Sequence, residues 1–430
     1  MLNIDEYLNN FFKGTKNPSL KAMEFFMKKF NNFEQQMKFI HIAGTNGKGS
    51  CTEMTANILE KQGYKVGKFL SPHLVKYNER ISINGVEISD EEMANIIKEL
   101  QPLIEEYNKI EEVDITLFEL ETTMALLYFY RNNVDFVVLE TGLGGLYDCT
   151  NIISKPLVSM ITSIGYDHLN ILGKTLPEIA VQKAGIIKED SQTVIFEQEK
   201  DVNDVFIRTC NSKNNKLHII SNNDISSYRF DKNFQYFNYK DMKDIKINLK
   251  GRAQIKNASI CIEAIKIIRN YGYKINDTSI LEGLSTVIHK GRLEKLNSNP
   301  EIIFDGAHNE PAIINLLDTI NMYYSNRKRV YIVSILNRKD YKKMLELLLK
   351  DREAIFIMTS GNDVERYTTK EELYNCMSEN IEKNRIYKYE LDEAIANSMQ
   401  QKDDTVYFVI GSFYVYGDVV NLIKKNKDGN

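Results

Sequence analysis

The segment Lys38–Ser50, with the sequence KFIHIAGTNGKGS, combines three glycines with a lysine and a serine. Glycine lets the backbone wrap closely around phosphate oxygens, and the amides of such a loop and of a following helix point towards the anion. Lys48 adds a positive charge, and the Ser50 hydroxyl is a suitable Mg²⁺ ligand. The spacing G-x-x-G-K-G-S differs from the common G-x-x-x-x-G-K-[ST]. The segment predicts a nucleotide phosphate site, and the alternative is a purely structural turn.

The residues on either side of this loop indicate the elements that must position it. The apolar run Phe39–Ala43 is typical of a buried strand, and Cys51–Gln62 is predicted to be a helix opened by Ser50. Ligands in parallel sheets bind beyond the carboxyl ends of the strands. Polar side chains that follow other predicted strands are therefore candidates for the same site.

Glu140 and His168 each follow an apolar strand. Glu140 comes directly after Val134–Leu139, where a carboxylate beside a phosphate loop is a natural Mg²⁺ ligand. The alternative for Glu140 is an acid that caps the next turn. His168 follows the strand Leu157–Thr162 by a short turn, and its alternative is a structural or surface histidine.

Three further positions belong to the same set of candidates. Lys183 ends the helical stretch Leu176–Lys183, where a lysine can simply interact with the helix dipole. Ser71 follows the strand Val66–Leu70 and would face the phosphate loop if that strand lies beside the first one. Asp305 and His308 follow a strand near residue 301 and could reach a ligand there.

Strand-like and helical stretches alternate along most of the chain, which predicts an α/β protein with parallel sheets. We expect residues 1–290 to form a domain with a phosphate loop, a mostly parallel sheet and a small antiparallel sheet at Tyr228–Leu249. Residues 291–430 are expected to form a smaller Rossmann-like α/β domain. Its predicted strands are Glu301–Phe304, Val330–Ile335, Ala354–Met358 and Val406–Ile410.

Composition narrows the class of protein. A chain of 430 residues is long enough for two domains, and the net charge of −4 argues against non-specific nucleic-acid binding. The five cysteines form no C-x-x-C pair, which favours reduced thiols in a cytosolic enzyme. Neither a signal peptide nor an apolar run long enough to span a bilayer is visible. We therefore expect a cytoplasmic protein without membrane or nucleic-acid partners.

Together these motifs resemble the folylpolyglutamate synthase and dihydrofolate synthase family, within the Mur ligase group of ATP-dependent amide ligases. Nine motifs occur in the family's order between residues 41 and 309, so the resemblance covers nearly the whole chain. They are His41–Ser50, Ser71–Leu74, Asn78–Ile81, Glu140–Gly145, Asp148–Asn151, Asp167–His168, Glu178–Ala180 with Lys183–Ile186, Gly291–Arg292 and Asp305–Asn309.

The resemblance implies a ligase that uses ATP to convert a carboxylate into an acyl phosphate, which the amino group of L-glutamate then attacks. The acceptor would be dihydropteroate, a reduced folate, or both. The residues expected to contact ATP are Gly44, Thr45, Asn46, Gly47, Lys48, Gly49, Ser50, Asn257, Arg292, Asp305 and His308. The residues expected to contact the pterin are Thr116, Phe118, Glu119 and Asp148.

The resemblance also implies two Mg²⁺ ions. The Mg²⁺ ion on the nucleotide would be bound by Ser50, Ser71 and Glu140. The second Mg²⁺ ion would be bound by Glu140 and His168. Lys183 matches a family position that CO₂ carbamylates, which would convert an ammonium group into an anionic oxygen ligand. Lys48, Glu140, His168 and Lys183 are the expected catalytic residues, and a monomer is expected.

Several alternatives remain open at this stage. The chain could extend folates only, or act on another carboxylate as a related Mur-type ligase. A peptidoglycan Mur ligase would need a UDP-sugar domain, and only about forty residues precede the phosphate loop. A nucleotide-dependent switch would have no need for Glu140, His168 and Lys183 together. The preferred folate, the polyglutamate length and the extent of domain closure are also left open.

Two segments depart from the family pattern. Glu310 and Pro311 follow Asn309 where the family usually has proline directly, so the turn beyond His308 is expected to differ. The segment Lys13–Leu20 matches only loosely the family loop that borders the pterin pocket.

Overall fold

The computed structural model describes residues 4–11, 19–111, 113–361, 363, 365–401 and 403–428. The helices are α1 (Ile4–Asn9), α2 (Lys21–Lys29), α3 (Lys48–Lys61), α4 (Asp90–Glu111), α5 (Leu117–Arg131), α6 (Leu169–Leu172), α7 (Leu176–Ala184), α8 (Lys200–Ser212), α9 (Arg252–Asn270), α10 (Asp277–Thr286), α11 (Glu310–Tyr324), α12 (Tyr341–Leu348), α13 (Lys370–Ser378), α14 (Leu391–Met399) and α15 (Tyr416–Asp428).

The strands alternate with these helices along most of the chain. They are β1 (Phe39–Ala43), β2 (Val66–Phe69), β3 (Ile81–Ile83), β4 (Val86–Glu87), β5 (Phe136–Glu140), β6 (Val158–Ile161), β7 (Gln192–Phe196), β8 (Lys216–Ile220), β9 (Ile225–Phe230), β10 (Gln235–Tyr239), β11 (Met242–Ile247), β12 (Glu294–Ser298), β13 (Glu301–Asp305), β14 (Arg329–Val333), β15 (Ile355–Met358), β16 (Ile386–Lys388) and β17 (Val406–Ile410).

The chain divides into two compact units. The first unit extends to Val287, and the second comprises Ile288 onwards together with the short segments Asp231–Asn233 and Leu249–Ala253. Each unit contains its own α/β sheet, so each can bury a core of its own.

A sheet with the strand order β4-β3-β2-β5-β1-β6-β7-β8 forms the centre of the first unit. From β2 to β8 neighbouring strands are parallel, while β3 and β4 are antiparallel additions at one edge. Every residue of β1, β5 and β6 is buried, as expected for parallel strands covered on both faces. Ile42 on β1 lies opposite Glu140 on β5 and Met160 on β6, which brings three strand ends to one edge.

The small antiparallel sheet of the first unit consists of β9, β10 and β11. Alternate residues of β10 are fully buried, which explains the mixed aromatic and polar sequence of this region. The long helix α9 follows this sheet and buries an isoleucine-rich face.

The second unit contains a sheet with the order β12-β13-β17-β14-β15-β16. The antiparallel strand β12 lies at one edge, and the remaining neighbours are parallel. Its core combines these strands with apolar side chains of α11, α12 and α13. The predicted fold class, a mostly parallel sheet domain with a small antiparallel sheet and a second α/β domain, is confirmed.

The boundaries of individual elements differ from those predicted. Helix α3 begins at Lys48 rather than after Ser50, so Lys48, Gly49 and Ser50 form its first turn. Strand β5 extends through Glu140, which is therefore the last strand residue rather than the first loop residue. In the described part of the chain, no helix combines the length and apolar character needed to cross a membrane.

Gly283 allows α10 to pack closely on α3. A Cβ atom at this position would lie 2.6 Å from the Cα of Ile58. Since alanine normally favours a helix by about 1 kcal/mol over glycine, propensity alone would make Gly283→Ala stabilising. We expect the opposite, a loss of about 1–3 kcal/mol in the free energy of unfolding, because the backbones must separate. Urea denaturation measures this change.

Glu282→Ala, at an exposed neighbouring position of α10, is the matched control and should change stability by less than about 0.5 kcal/mol. A Gly283→Ala variant more stable than the wild type would contradict the close approach of the two helices.

Candidate active site

Two glycines shape the loop that joins β1 to α3. Gly44 has a φ of +153°, and a Cβ there would lie 1.7 Å from Oγ1 of Thr162. Gly47 has a φ of +93°, and a Cβ there would lie 2.7 Å from Oδ1 of Asn257. A side chain at either position would therefore be both strained and blocked.

The intervening residues are tied to the loop that follows β6. The amide of Thr45 donates to the carbonyl of Ser163 at 2.8 Å, and its hydroxyl lies 3.1 Å from both the carbonyl and the amide of Gly165. The hydroxyl of Thr162 donates to the carbonyl of Asn46 at 2.8 Å. These contacts fix the loop at the N-terminus of α3, where the first-turn amides have no partner within the helix and can bind phosphate.

Glu140 faces the phosphate loop from the end of β5. Its carboxylate is almost fully buried, with Oε1 at 3.8 Å from Nζ of Lys48 and Oε2 accepting the amide of Ser71 at 3.2 Å. The structure therefore brings Lys48, Ser71 and Glu140 together. Strand β2 does not lie beside β1 as the prediction for Ser71 assumed; it lies beside β5, and Ser71 contacts Glu140 at the end of that strand. Burial strengthens the attraction between the two charges.

Helix α9 supplies two polar side chains to the same loop. Nε2 of Gln254 donates to Oγ of Ser50 at 3.2 Å. Nδ2 of Asn257 donates to Oε1 of Gln254 at 3.0 Å. Asn257 also lies against Gly47, as described above. Gln254 was not predicted as a site residue, although its position three residues before Asn257 on a helix places both on one face.

Lys183 reaches the phosphate loop from the end of α7. Its side chain is buried, and Nζ donates to the carbonyl of Gly44 at 2.8 Å. Burial, together with the positive charge of Lys48, lowers the pKa of Lys183 to about 7, while Asp167 and Asp148 act in the opposite direction. An amine in this environment is partly neutral near pH 7, which makes it more nucleophilic than an ordinary lysine.

His168 lies one residue beyond Asp167, in the loop that precedes α6. Its backbone is left-handed, with a φ of +51°, and its amide donates to Oδ1 of Asp167 at 2.9 Å. Nε2 of the imidazole lies 3.8 Å from the same oxygen, and about a third of the side chain (36%) is exposed. The charge of Asp167 raises the pKa of Lys183, against the larger effects of burial and of Lys48.

The residues predicted to hold the first Mg²⁺ carry oxygen atoms that suit this ion. A buried carboxylate and the serine hydroxyls at 50 and 71 are hard oxygen ligands, the kind that Mg²⁺ prefers to share with nucleotide phosphates. Among the described residues, no three His, Cys, Asp or Glu side chains lie close enough together to form a metal site on their own. The second predicted site would thus depend on a carbamate at Lys183, because an ammonium group cannot bind a cation.

The predicted pterin contacts Thr116 and Glu119 form the N-terminal cap of α5. Oγ1 of Thr116 accepts the amide of Glu119 at 3.3 Å, and Oε2 of Glu119 accepts the amide of Thr116 at 2.7 Å. This capping box is a structural role for both side chains. Phe118 packs over Gly142, where a Cβ would lie 2.5 Å from its ring. In the loosely matching segment Lys13–Leu20, residues 13–18 lie outside the described residues.

Asp148 is buried in the loop that follows Glu140. Its Oδ1 accepts the amide and the hydroxyl of Thr150 at 3.1 and 2.6 Å, and Oδ2 accepts the amide of Leu143 at 2.7 Å. Burial raises the pKa of Asp148, and these hydrogen bonds partly offset the increase. The same loop touches α7, since the amide of Leu146 donates to the carbonyl of Gln182 at 2.7 Å.

In the second unit, Arg292 and His308 lie against one aromatic ring, and Asp305 ends the preceding strand β13. The guanidinium of Arg292 lies 4.5 Å from the ring centre of Phe413, and the imidazole of His308 packs edge-on against that ring at 5.7 Å. Asp305 accepts the amides of Leu293 and Ala307, each at 2.9 Å. Burial raises the pKa of Asp305, whereas Arg292 lowers it. Phe413 was not predicted, because no sequence pattern links it to residues 292–308.

The turn beyond His308 accommodates the unusual Glu310 and Pro311. Oδ1 of Asn309 accepts the amide of Ala312 at 3.0 Å and caps α11, so Pro311 lies in the first turn of the helix. Proline is well tolerated there because its missing N–H would have no partner within the helix. Glu310 and Pro311 thus form the first turn of α11, and His308 packs against the Phe413 ring.

Comparisons with known proteins identify families that match both parts of the chain. The Mur ligase middle domain family matches residues 42–265, and the dihydrofolate synthetase C-terminal domain family matches residues 290–422. The chain is 33% identical over 416 residues to a dihydrofolate synthase/folylpolyglutamate synthase of Bacillus subtilis, covering 95% of both proteins.

Solved structures show the same similarity over the whole chain. A Mycobacterium tuberculosis folylpolyglutamate synthase complexed with ADP and AMPPCP has a TM-score of 0.89 and 26% identity, with 98% of this chain and 97% of that one covered. An FPGS–AMPPCP–folate complex has a TM-score of 0.83 and 28% identity, with 98% of both chains covered.

Gly47→Ala tests the shape of the phosphate loop. We expect the KM for ATP to rise by roughly tenfold or more, because the new Cβ would displace Asn257 and strain the loop at the start of α3. Steady-state kinetics with varied ATP measures this effect.

Gly63→Ala is the matched control, since Gly63 has a similar φ of +98° but has nothing within 4 Å of its added Cβ. It should cost stability through backbone strain alone and leave the KM for ATP unchanged. Equal effects of both variants on ATP would show that strain, and not the loop contact, is responsible.

Proposed function

Because this chain belongs to the dihydrofolate synthase/folylpolyglutamate synthase family, we propose that it joins L-glutamate to dihydropteroate, to reduced folate polyglutamates, or to both, at the expense of ATP. The observation that carries this proposal is the ion pair between Lys48 and the buried Glu140 at a glycine loop, with the buried Lys183 hydrogen-bonded to the same loop. A simple nucleotide switch has no use for that combination.

The reaction must overcome the low reactivity of a carboxylate. An oxygen of the substrate carboxylate attacks the γ-phosphorus of ATP, and the bond from that phosphorus to the bridging oxygen breaks to release ADP. The amino nitrogen of glutamate then attacks the acyl carbon of the resulting acyl phosphate. Phosphate leaves with the electrons of the C–O bond, and the nitrogen loses a proton, so an amide is formed.

The described residues can serve this chemistry in distinct ways. Lys48 would offset negative charge on the β- and γ-phosphates, and the amides of Lys48, Gly49 and Ser50 would bind phosphate oxygens. Mg²⁺ held by Glu140 with Ser50 and Ser71 would neutralise charge that develops during phosphoryl transfer. His168 and a carbamate on Lys183 would complete a second Mg²⁺ site.

Arg292, Asp305 and His308 are also proposed to contact the nucleotide. The Phe413 ring would hold two of these side chains in place. The cytoplasmic location and the monomeric state stay predictions from the sequence.

The choice of acceptor rests on Asp148. The Bacillus subtilis relative is named for both activities, and the Lacticaseibacillus casei relative, 29% identical, is named as a folylpolyglutamate synthase only. We propose that this chain has both activities, because Asp148 is retained in the motif that resembles the dihydropteroate-contacting one.

Glutamate-dependent ADP release tests the reaction. With Mg-ATP and bicarbonate, we expect turnover on dihydropteroate and on tetrahydrofolate offered separately, with products that each gain one glutamate in mass. Glu140→Gln should lower turnover by roughly a hundredfold, because the neutral amide cannot replace the carboxylate as a metal ligand.

Turnover on tetrahydrofolate alone would contradict the assignment of Asp148 to dihydropteroate. Turnover on neither substrate, by a folded protein that binds ATP, would refute the proposed function.

The low pKa of Lys183, about 7, makes carbamylation of this residue testable. The neutral amine attacks CO₂, a C–N bond forms, and a proton is released, so the carbamate is favoured as pH rises through 7. We expect activity to fall in CO₂-depleted buffer and to return with added bicarbonate. The response should vanish in Lys183→Met, together with most of the activity.

Lys188→Met is the control, since burial lowers the pKa of Lys188 to about 8 and its Nζ bonds the carbonyl of Asn151 instead. This variant should keep its response to bicarbonate. Wild-type activity that is indifferent to CO₂ at pH 6.5 and 8.5 would argue against a carbamate.

A further inference from the structure

Three polar side chains, those of His41, Thr150 and Asp148, form a hydrogen-bonded network that extends from β1 to the loop after β5. Nε2 of His41, in the middle of β1, lies 2.8 Å from Oγ1 of Thr150, which in turn lies 2.6 Å from Oδ1 of Asp148. His41 and Thr150 have no exposed surface, whereas Asp148 keeps 5% of its own. Asp148 is therefore the only one of these three residues that a ligand can contact.

The geometry fixes the direction of each hydrogen bond. A hydroxyl has a single hydrogen, and the short contact with a carboxylate oxygen means that Thr150 donates it to Asp148. Thr150 must then accept from His41, so His41 carries its proton on Nε2. Nδ1 of His41 has no hydrogen-bond partner among the described residues, and a buried lone pair there costs less than a buried N–H would.

His41 is neutral under ordinary conditions. Burial, with a smaller contribution from Lys188, lowers the pKa of its imidazole to about 3. The donor to Thr150 is therefore a neutral N–H that does not change its protonation between pH 5 and 9.

These bonds leave Asp148 with one vacant acceptor direction. Oδ1 already accepts two hydrogen bonds, from the amide and the hydroxyl of Thr150. Oδ2 accepts one protein donor, the amide of Leu143, and a carboxylate oxygen has two lone pairs. One lone pair on Oδ2 remains for a donor outside this network.

We propose that His41 and Thr150 are positioning residues, which orient the Asp148 carboxylate so that Oδ2 accepts an N–H of the pterin substrate. This inference rests on the proposed function and on the assignment of Asp148 to the pterin. The simpler alternative is that the network only caps the turn that begins at Cys149, for which Asp148 is the N-terminal cap.

Four variants separate positioning from capping. His41→Leu and Thr150→Val each remove one hydrogen bond of the network and substitute an apolar side chain of similar size. His41→Gln keeps an N–H near the position of Nε2, and Thr150→Ser keeps the hydroxyl. Ile40→Val, a buried neighbour on β1, is the control for disturbance of the strand.

We expect His41→Leu and Thr150→Val to raise the KM for dihydropteroate by about tenfold, the order of one hydrogen bond to a charged group, with the KM for ATP within twofold of the wild type. His41→Gln and Thr150→Ser should restore most of the loss. Ile40→Val should leave both constants unchanged.

An unchanged KM for dihydropteroate in His41→Leu and Thr150→Val would overturn the proposal. So would a common loss of thermal stability and of affinity for both substrates that the Gln and Ser variants fail to restore, since that pattern belongs to a cap alone.

Failure of the proposed function would be seen separately, as a wild-type protein that turns over no pterin substrate. The network is then tested by ¹⁵N-histidine NMR, with the His41 signals identified by their absence in His41→Gln. A proton on Nε2 from pH 5 to 9, with a shift in Thr150→Val, would support the network. A proton on Nδ1 would overturn it.

Discussion

The position of β1 between β5 and β6 is the constraint on which the phosphate site depends. Parallel strands in register end at one edge of the sheet, so Ile42 lies beside both Glu140 and Met160. The phosphate loop, the carboxylate at the end of β5 and the loop after β6 are thereby adjacent, although they are far apart in sequence. Thr162 and Gly165 then hydrogen-bond to the phosphate loop directly.

The same close packing brings the charge of Lys48 near Glu140 and near Lys183. Lys48 attracts Glu140 at 3.8 Å and disfavours a proton on the buried Lys183. Because water is largely excluded, each charge changes the free energy of the other's ionisation more than it would on a surface. A cationic lysine and a partly neutral lysine can therefore coexist at the same loop, since burial and the charge of Lys48 together lower the pKa of Lys183.

The sequence predicted the fold class and most strands, because buried parallel strands such as β1 and β5 are short apolar runs. It also singled out Lys48, Ser71, Glu140 and Lys183 as candidates, and the fold brings them to the β1–α3 loop or to Glu140 beside it. Their roles stay predictions. It misplaced the start of α3, since a glycine in left-handed conformation caps that helix and no capping side chain marks the position. Gln254 and Phe413 were missed for a different reason: their roles depend on contacts with residues distant in the chain, which periodicity and local motifs do not encode.

The predicted pterin contacts differ in how many of their hydrogen-bonding groups are already occupied within the protein. Thr116 and Glu119 exchange hydrogen bonds with each other's backbone, so a ligand would have to compete with the cap of α5 for them. Asp148 is also a cap, but its partners use three acceptor directions of a group that has about four. Asp148 can therefore accept a fourth hydrogen bond without losing any that cap the turn. A buried carboxylate held in this way would lose little conformational entropy on accepting a substrate N–H, because preorganisation reduces the entropic cost of binding.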